Sequence, residues 1–200
     1  MSNSKMRNVF VMASAAFFAL ASVASAELND ETINICRTGN PVQIWQALNT
    51  RALSVSETDE YGTTALMFMA SANTMPEAFI SLIHAGAKVN ARDKTGQTAL
   101  MYAAATNSSI EIIETLLNAG ANINDRDING NTALMIAAHF SKKSEIISAL
   151  LAAGADARAV NVEKQTAFMI AGSNESIKGS EGYWELNNKH WEFISSQMTY

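Results

Sequence analysis

The tetrapeptide Thr-Ala-Leu-Met occurs at Thr64–Met67, Thr98–Met101 and Thr132–Met135, and returns as Thr-Ala-Phe-Met at Thr166–Met169, always 34 residues apart. Ala-Gly-Ala keeps the same period at Ala85–Ala87, Ala119–Ala121 and Ala153–Ala155, and Asp59, Asp93 and Asp127 each stand three residues before a glycine. A unit of this size cannot bury its own apolar face, so the chain must fold as a stack in which each copy covers its neighbour. Aromatic content of 8% with abundant Ala and Met points to helices with small and flexible core side chains rather than a β-sandwich.

Each copy reads physically as two helices and an arm. The Thr of the tetrapeptide caps a short inner helix whose Leu66, Leu100 or Leu134 points inward, and Ala103-Ala104 and Ala137-Ala138 let the next helix approach closely. A polar break follows, at Asn73-Thr74, Asn107 to Ser109 and Ser141 to Ser144. An outer helix then carries apolar residues three and four apart: Phe79, Leu82 and Ile83; Ile113, Leu116 and Leu117; Ile147, Leu150 and Leu151. Pro41 and Pro76 suit the first turn of such a helix. Gly86, Gly120 and Gly154 end it, and the segment after each is an extended arm with a turn into the next copy.

These residues resemble the ankyrin repeat, whose pattern runs from Gly-x-Thr-Pro-Leu-His through an Ala-Ala pair and a Leu-Leu pair to Gly-Ala-x-x-Asn. The likeness covers nearly all of residues 28–200, with two recurring departures: Ala replaces Pro and Met replaces His in every copy, and the break between helices is one residue longer. The resemblance implies an all-α helix-turn-helix solenoid with β-hairpin-type arms. Because the family's His links neighbouring repeats, Met67, Met101, Met135 and Met169 are expected to form an apolar, oxidation-sensitive stack instead. About five units are expected: an N-terminal cap at 27–61, containing helices at Thr32–Thr38 and Pro41–Arg51, repeats at 62–95, 96–129 and 130–163, and a C-terminal cap at 164–200. In that last cap Lys164 stands where Gly is expected, and an aromatic helix with Tyr183, Trp184, Trp191 and Phe193 follows. Trp184 and Trp191 lie seven apart on one helix face, and sealing the last repeat is their expected use.

Residues 1–26 read as a cleavable export signal: Lys5 and Arg7, an apolar run from Val9 to Ala21, then Ala24-Ser25-Ala26. That run is short for a membrane span, which needs roughly 20 residues. A lone Cys36 in an exported chain leaves packing alone to hold the fold, and its neighbours Ile33 and Ile35 place it in a core. The sequons at Asn107 and Asn174 would matter only in a eukaryotic secretory route, and the short signal without disulfides favours a bacterial periplasm. All 19 acidic residues follow residue 26, while Lys5 and Arg7 take two of the 14 cationic ones, leaving a net charge of −7 on the remainder. Such a surface repels nucleic acid.

The residues that the repeat leaves free are the candidate binding positions. They are the pair after each arm Asp, the residue after each turn Gly and those after the Ala pair: Glu60, Tyr61, Thr63 and Ser71; Lys94, Thr95, Gln97, Ala105 and Thr106; Ile128, Asn129, Asn131, His139 and Phe140; then Gln165. In the ankyrin-like arrangement these line a concave face. Tyr61, Ile128, His139 and Phe140 are natural interface anchors, although Phe140 could instead tuck into the break between helices. Phe68, Tyr102, Ile136 and Ile170 form a further column, read as core.

Signals for catalysis are weak. His84, His139 and His190 fall in different copies without metal-ligand spacing, and no nucleophile elbow or phosphate loop is present. Glu77, Glu111 and Glu145 suit the helix dipole at the start of each outer helix. The expectation is a periplasmic, non-enzymatic monomer without cofactor or metal that binds a folded protein. Rival expectations are an inhibitor or immunity protein that blocks a periplasmic enzyme such as a cell-wall hydrolase, support of an antioxidant enzyme, and an enzyme acting on the cell wall through the aromatic cap.

Overall fold

The computed structural model describes residues 28–106 and 109–197, and the export signal at 1–26 and the sequon at Asn107 lie outside these. Among the described residues ten helices follow one another: α1 Asp30–Thr38, α2 Pro41–Asn49, α3 Ala65–Ala72, α4 Pro76–His84, α5 Ala99–Thr106, α6 Ile110–Asn118, α7 Ala133–Phe140, α8 Ser144–Ala152, α9 Ala167–Ala171 and α10 Glu181–Gln197. The odd-numbered helices pack side by side as an inner layer, and the even-numbered ones as an outer layer behind them.

The threonine caps form as expected. Thr64, Thr132 and Thr166 accept the backbone N–H of Met67, Met135 and Met169 through Oγ1 at 3.3, 3.4 and 3.4 Å. In α3 the Met67 sulfur in turn accepts the N–H of Thr64 at 3.4 Å, so Met occupies the place that Glu or Gln takes in a capping box. At the outer-helix ends Gly86, Gly120 and Gly154 adopt φ of 100°, 90° and 92°. The next N–H then turns back onto Leu82, Leu116 and Leu150, closing Schellman motifs. Asn29 and Asn40, which the sequence pattern did not flag, cap α1 and α2. Pro41 and Pro76 occupy first helical turns.

The core is continuous along the stack. Leu66, Leu100 and Leu134 of the inner layer and Phe79, Ile113 and Ile147 of the outer one are all fully buried in one cluster, while alanines at the start of α3, α5, α7 and α9 allow close approach. Cys36 is buried and free. Ile136 and Ile170 are buried, and Phe68 and Tyr102 pack half-buried against the same core.

Several expectations change. Met67, Met101 and Met135 are buried between units, but Met169 is 52% exposed because no further repeat covers it. Three of the four repeat methionines are therefore shielded and one is open. Trp184 and Trp191 do not seal the last repeat: they are 53% and 57% exposed, and Leu186 and Ile177 are buried in their place. α2 stops at Asn49 rather than Arg51, which takes φ 58°. The arms are hydrogen-bonded turns, and the only bridge among the described residues joins Thr58 to Thr64. The Asn174 sequon is unusable as it stands. Its side chain is buried and donates to the carbonyls of Ala138 and Ser141 at 3.1 and 2.9 Å, tying the last unit to the one before. Asn73 does the same at the other end, donating to Cys36 and Gly39.

Candidate functional site

Each arm is built around one side chain. Asp59 Oδ1 accepts the N–H groups of Tyr61 and Thr63 at 2.9 and 2.7 Å. Asp93 accepts those of Thr95 and Gln97 at 2.8 and 2.9 Å. Asp127 accepts those of Asn129 and Asn131 at 2.9 and 2.8 Å. Asn161 repeats the pattern with Glu163 and Gln165 at 3.0 and 2.9 Å. Successive arms are then joined: Lys94 N–H donates to the Tyr61 carbonyl, Ile128 to Thr95 and Val162 to Asn129, at 2.9, 3.0 and 2.9 Å. Turn Oδ1 acceptors and inter-arm bonds together occupy the tip N–H groups of the second, third and fourth arms, so the donors those tips offer a partner are side chains.

Those side chains form two parallel rows. One runs Glu60, Lys94, Ile128, Val162 and the other Tyr61, Thr95, Asn129, Glu163, and all eight are exposed. The first three pairs are the ones expected. The fourth was missed, although Val162 is 64% exposed and lies one period beyond Ile128. The rows change character along the stack, from charged at Glu60 and Lys94 to apolar at Ile128 and Val162. At the first arm the Glu60 carboxylate, by its charge and by accepting the phenol's hydrogen bond, raises the Tyr61 phenol above its ordinary pKa.

Other expected contacts also bond within the frame. Thr63 is buried, because the second Asp59 bond folds it under the turn. Asn131 is half-buried, donating to Asp127 Oδ2 and accepting from Asn161 Nδ2 at 3.0 Å. Gln97 and Gln165 are half-buried, and Gln165 accepts from Asn161. Ser71 donates to the Phe68 carbonyl, and Thr106 reaches across the repeat boundary to the Ser71 carbonyl at 2.8 Å. Ala105 is half-buried. Tyr102 donates to Asp93 Oδ2 at 2.9 Å, and its phenol is pushed up first by burial and then by the Asp93 charge. At the end of α7, His139 and Phe140 are both exposed and meet edge to face, with ring centroids 4.3 Å apart. Phe140 does not tuck into the break, because Ser141 fills it, accepting the Lys143 N–H and donating back to that residue's carbonyl.

Among the described residues no three His, Cys, Asp or Glu side chains are grouped to hold a metal ion, and no helix is long and apolar enough to cross a membrane. A cleft of about 600 Å³ lies between the end of α8 and α10, but its Arg158 and Lys189 are already matched by Asp156 and Glu192 at 3.4 and 3.2 Å.

A family model described as ankyrin repeats in three copies matches residues 33–127, and an ankyrin-repeat model matches residues 129–162. No curated protein matches the chain. With these matches spanning well over half the sequence, on a stack of capped helix pairs joined by arm turns, the chain belongs to the ankyrin-repeat family, whose arrays serve as protein–protein interaction modules.

Proposed function

We propose that this protein is exported to a bacterial periplasm and there binds a folded protein partner through the arm tips and the exposed ends of its inner helices. The observation that carries the reading is the combination of arm tips whose backbone N–H groups are tied into turns and inter-arm bonds with large exposed side chains on them, Tyr61, Ile128 and Val162, beside the His139 and Phe140 pair. Large side chains held on a rigid frame lose little entropy on binding, so they suit interface anchors. Glu60, Lys94, Thr95 and Asn129 flank them and set which partner is accepted. Export rests on the charged, apolar and small-residue sequence of residues 1–26.

The test is in-cell crosslinking followed by purification from the envelope fraction, comparing the wild type with a Tyr61→Ala, Ile128→Ala, Phe140→Ala triple variant. The expected result is one protein captured by the wild type and lost by a variant with an unchanged melting curve. Equal capture by both would remove the tips from the interface. Recovery of the chain from the cytoplasm with residues 1–26 attached would end the export reading. If the captured partner is an enzyme, assaying it with and without the purified chain separates inhibition from scaffolding.

A further inference from the structure

The last helix has one face that the stack does not use. Gly182 fixes how α10 sits: a Cβ there would lie 2.5 Å from the Ser144 carbonyl and 3.2 Å from Ile147, so this residue is pressed onto α8. Leu186, one turn on, is buried beside it. The opposite face carries Trp184, Asn187, Asn188 and Trp191, at helical steps of three, four and seven. Both indoles are more than half exposed, Asn188 is exposed and Asn187 is half-exposed.

The two indoles are set equivalently. Tyr183 meets Trp184 edge to face with centroids 5.6 Å apart, and His190 meets Trp191 in the same manner at 5.9 Å. Phe168 packs against both supporting rings, at 5.5 and 5.1 Å. Two braced aromatic plates thus stand on one side of a helix, separated by about 10.5 Å of helix rise, with two amides between them.

That spacing is one disaccharide step of an extended β-1,4-linked glycan. In such a strand the axial C–H groups give each pyranose an apolar face, which the negative face of an indole attracts. Sugars two apart present the same face, so one can lie on each indole while the hydroxyls of the sugar between them meet the Asn187 and Asn188 amides. Charge selects against other polymers: Glu181 and Glu185 border the stripe and Lys189 is paired with Glu192, which disfavours nucleic acid and anionic membranes. A second copy of the chain is too demanding an occupant. Two half-exposed indoles offer about 200 Å² per chain, where a stable interface needs about 800 Å² from each partner. We propose that this face of α10 binds a neutral, extended β-1,4-linked glycan strand, independently of the arm-tip surface.

The probe is a set of N-acetylchitooligosaccharides of two to six sugars, titrated into the full chain and followed by tryptophan fluorescence in a Trp45→Phe background and by calorimetry. Affinity should rise at least tenfold between the disaccharide and the tetrasaccharide, as the second indole becomes engaged. Trp184→Ala and Trp191→Ala should each weaken hexasaccharide binding tenfold or more, Trp184→Tyr should keep part of it, and maltohexaose, whose α-linkage curls the chain, should not bind. The arm-tip triple variant should bind the hexasaccharide as the wild type does. Because both indoles are exposed, their removal should leave the melting curve in place. No response at millimolar hexasaccharide, binding that survives loss of both indoles, or indole-dependent self-association or binding to anionic vesicles instead would overturn the proposal.

Discussion

Replacing Asp93 by Ala removes four hydrogen bonds from one arm: those from the Thr95 N–H and hydroxyl at 2.8 and 2.7 Å, from the Gln97 N–H at 2.9 Å and from the Tyr102 hydroxyl at 2.9 Å. Hydrogen bonds to a charged group are worth about 1.5–3 kcal/mol each. They do not add here, because they share one carboxylate and the exposed Thr95 can turn to water. Gln97 and Tyr102 are half-buried, so their two donors dominate the loss, and Asp93→Ala should cost about 3 kcal/mol, or roughly 6–12 °C in Tm for a chain of this size. Asp93→Asn should cost only about 1 kcal/mol, since an amide Oδ1 still closes the turn and the Tyr102 hydroxyl can accept from the new Nδ2. Asn161 already works this way one step from the end of the stack. Urea unfolding followed by circular dichroism measures both variants. The Asn variant should also let the Tyr102 phenol move down, while burial, the larger cause, keeps it above the ordinary range. If Asn proves as damaging as Ala, or Ala costs under about 1 kcal/mol, the turn is not held by this side chain as described.

Cys36 should be inert to thiol reagents at pH 8 until the chain unfolds, because burial pushes its thiol up to about 12. The sign of the pH effect follows: between the ordinary thiol value of 9.0 and about 12 only the folded state keeps the proton, so stability should fall as pH rises through that window. Cys36→Ala should flatten that fall. Gly130→Ala should cost about 2 kcal/mol or more, since φ is 76° and the new Cβ would lie 3.3 Å from the next arm at Asn161 and Val162. Gly120→Ala, with open space around it at φ 90°, should cost about 1 kcal/mol, and paired thermal melts separate the two. Dilute peroxide followed by peptide mass spectrometry should find sulfoxide at Met169 well before Met67, Met101 or Met135. Equal rates at all four would mean that the stack opens readily.

Positions that every copy must share were legible because the period repeats them. The capping threonines, the helix-ending glycines and the buried leucines each answer one geometric demand, and each sits where the pattern placed it. The fourth arm was hidden by two substitutions in its turn. Asn161 supplies the same oxygen as an aspartate, and Lys164 accepts φ 62° at the position where Gly130 is crowded by a following arm. Reading the period instead of the residue type would have recovered Val162 and Glu163. Thr63 and Asn131 were expected at the surface by position, as the residue after each turn glycine, but a turn closed by its own carboxylate draws that residue inward, fully for Thr63 and half-way for Asn131. The aromatic cap posed a different problem. A seven-residue spacing shows that Trp184 and Trp191 share a face and says nothing about which way that face looks. Large apolar side chains suggested inward, yet the decisive residue is the smallest one. Only Gly182 can approach the Ser144 carbonyl that closely, and with Leu186 four residues on it commits that side of the helix to the stack. Once the small residue has taken the buried side, the indoles can only face outward.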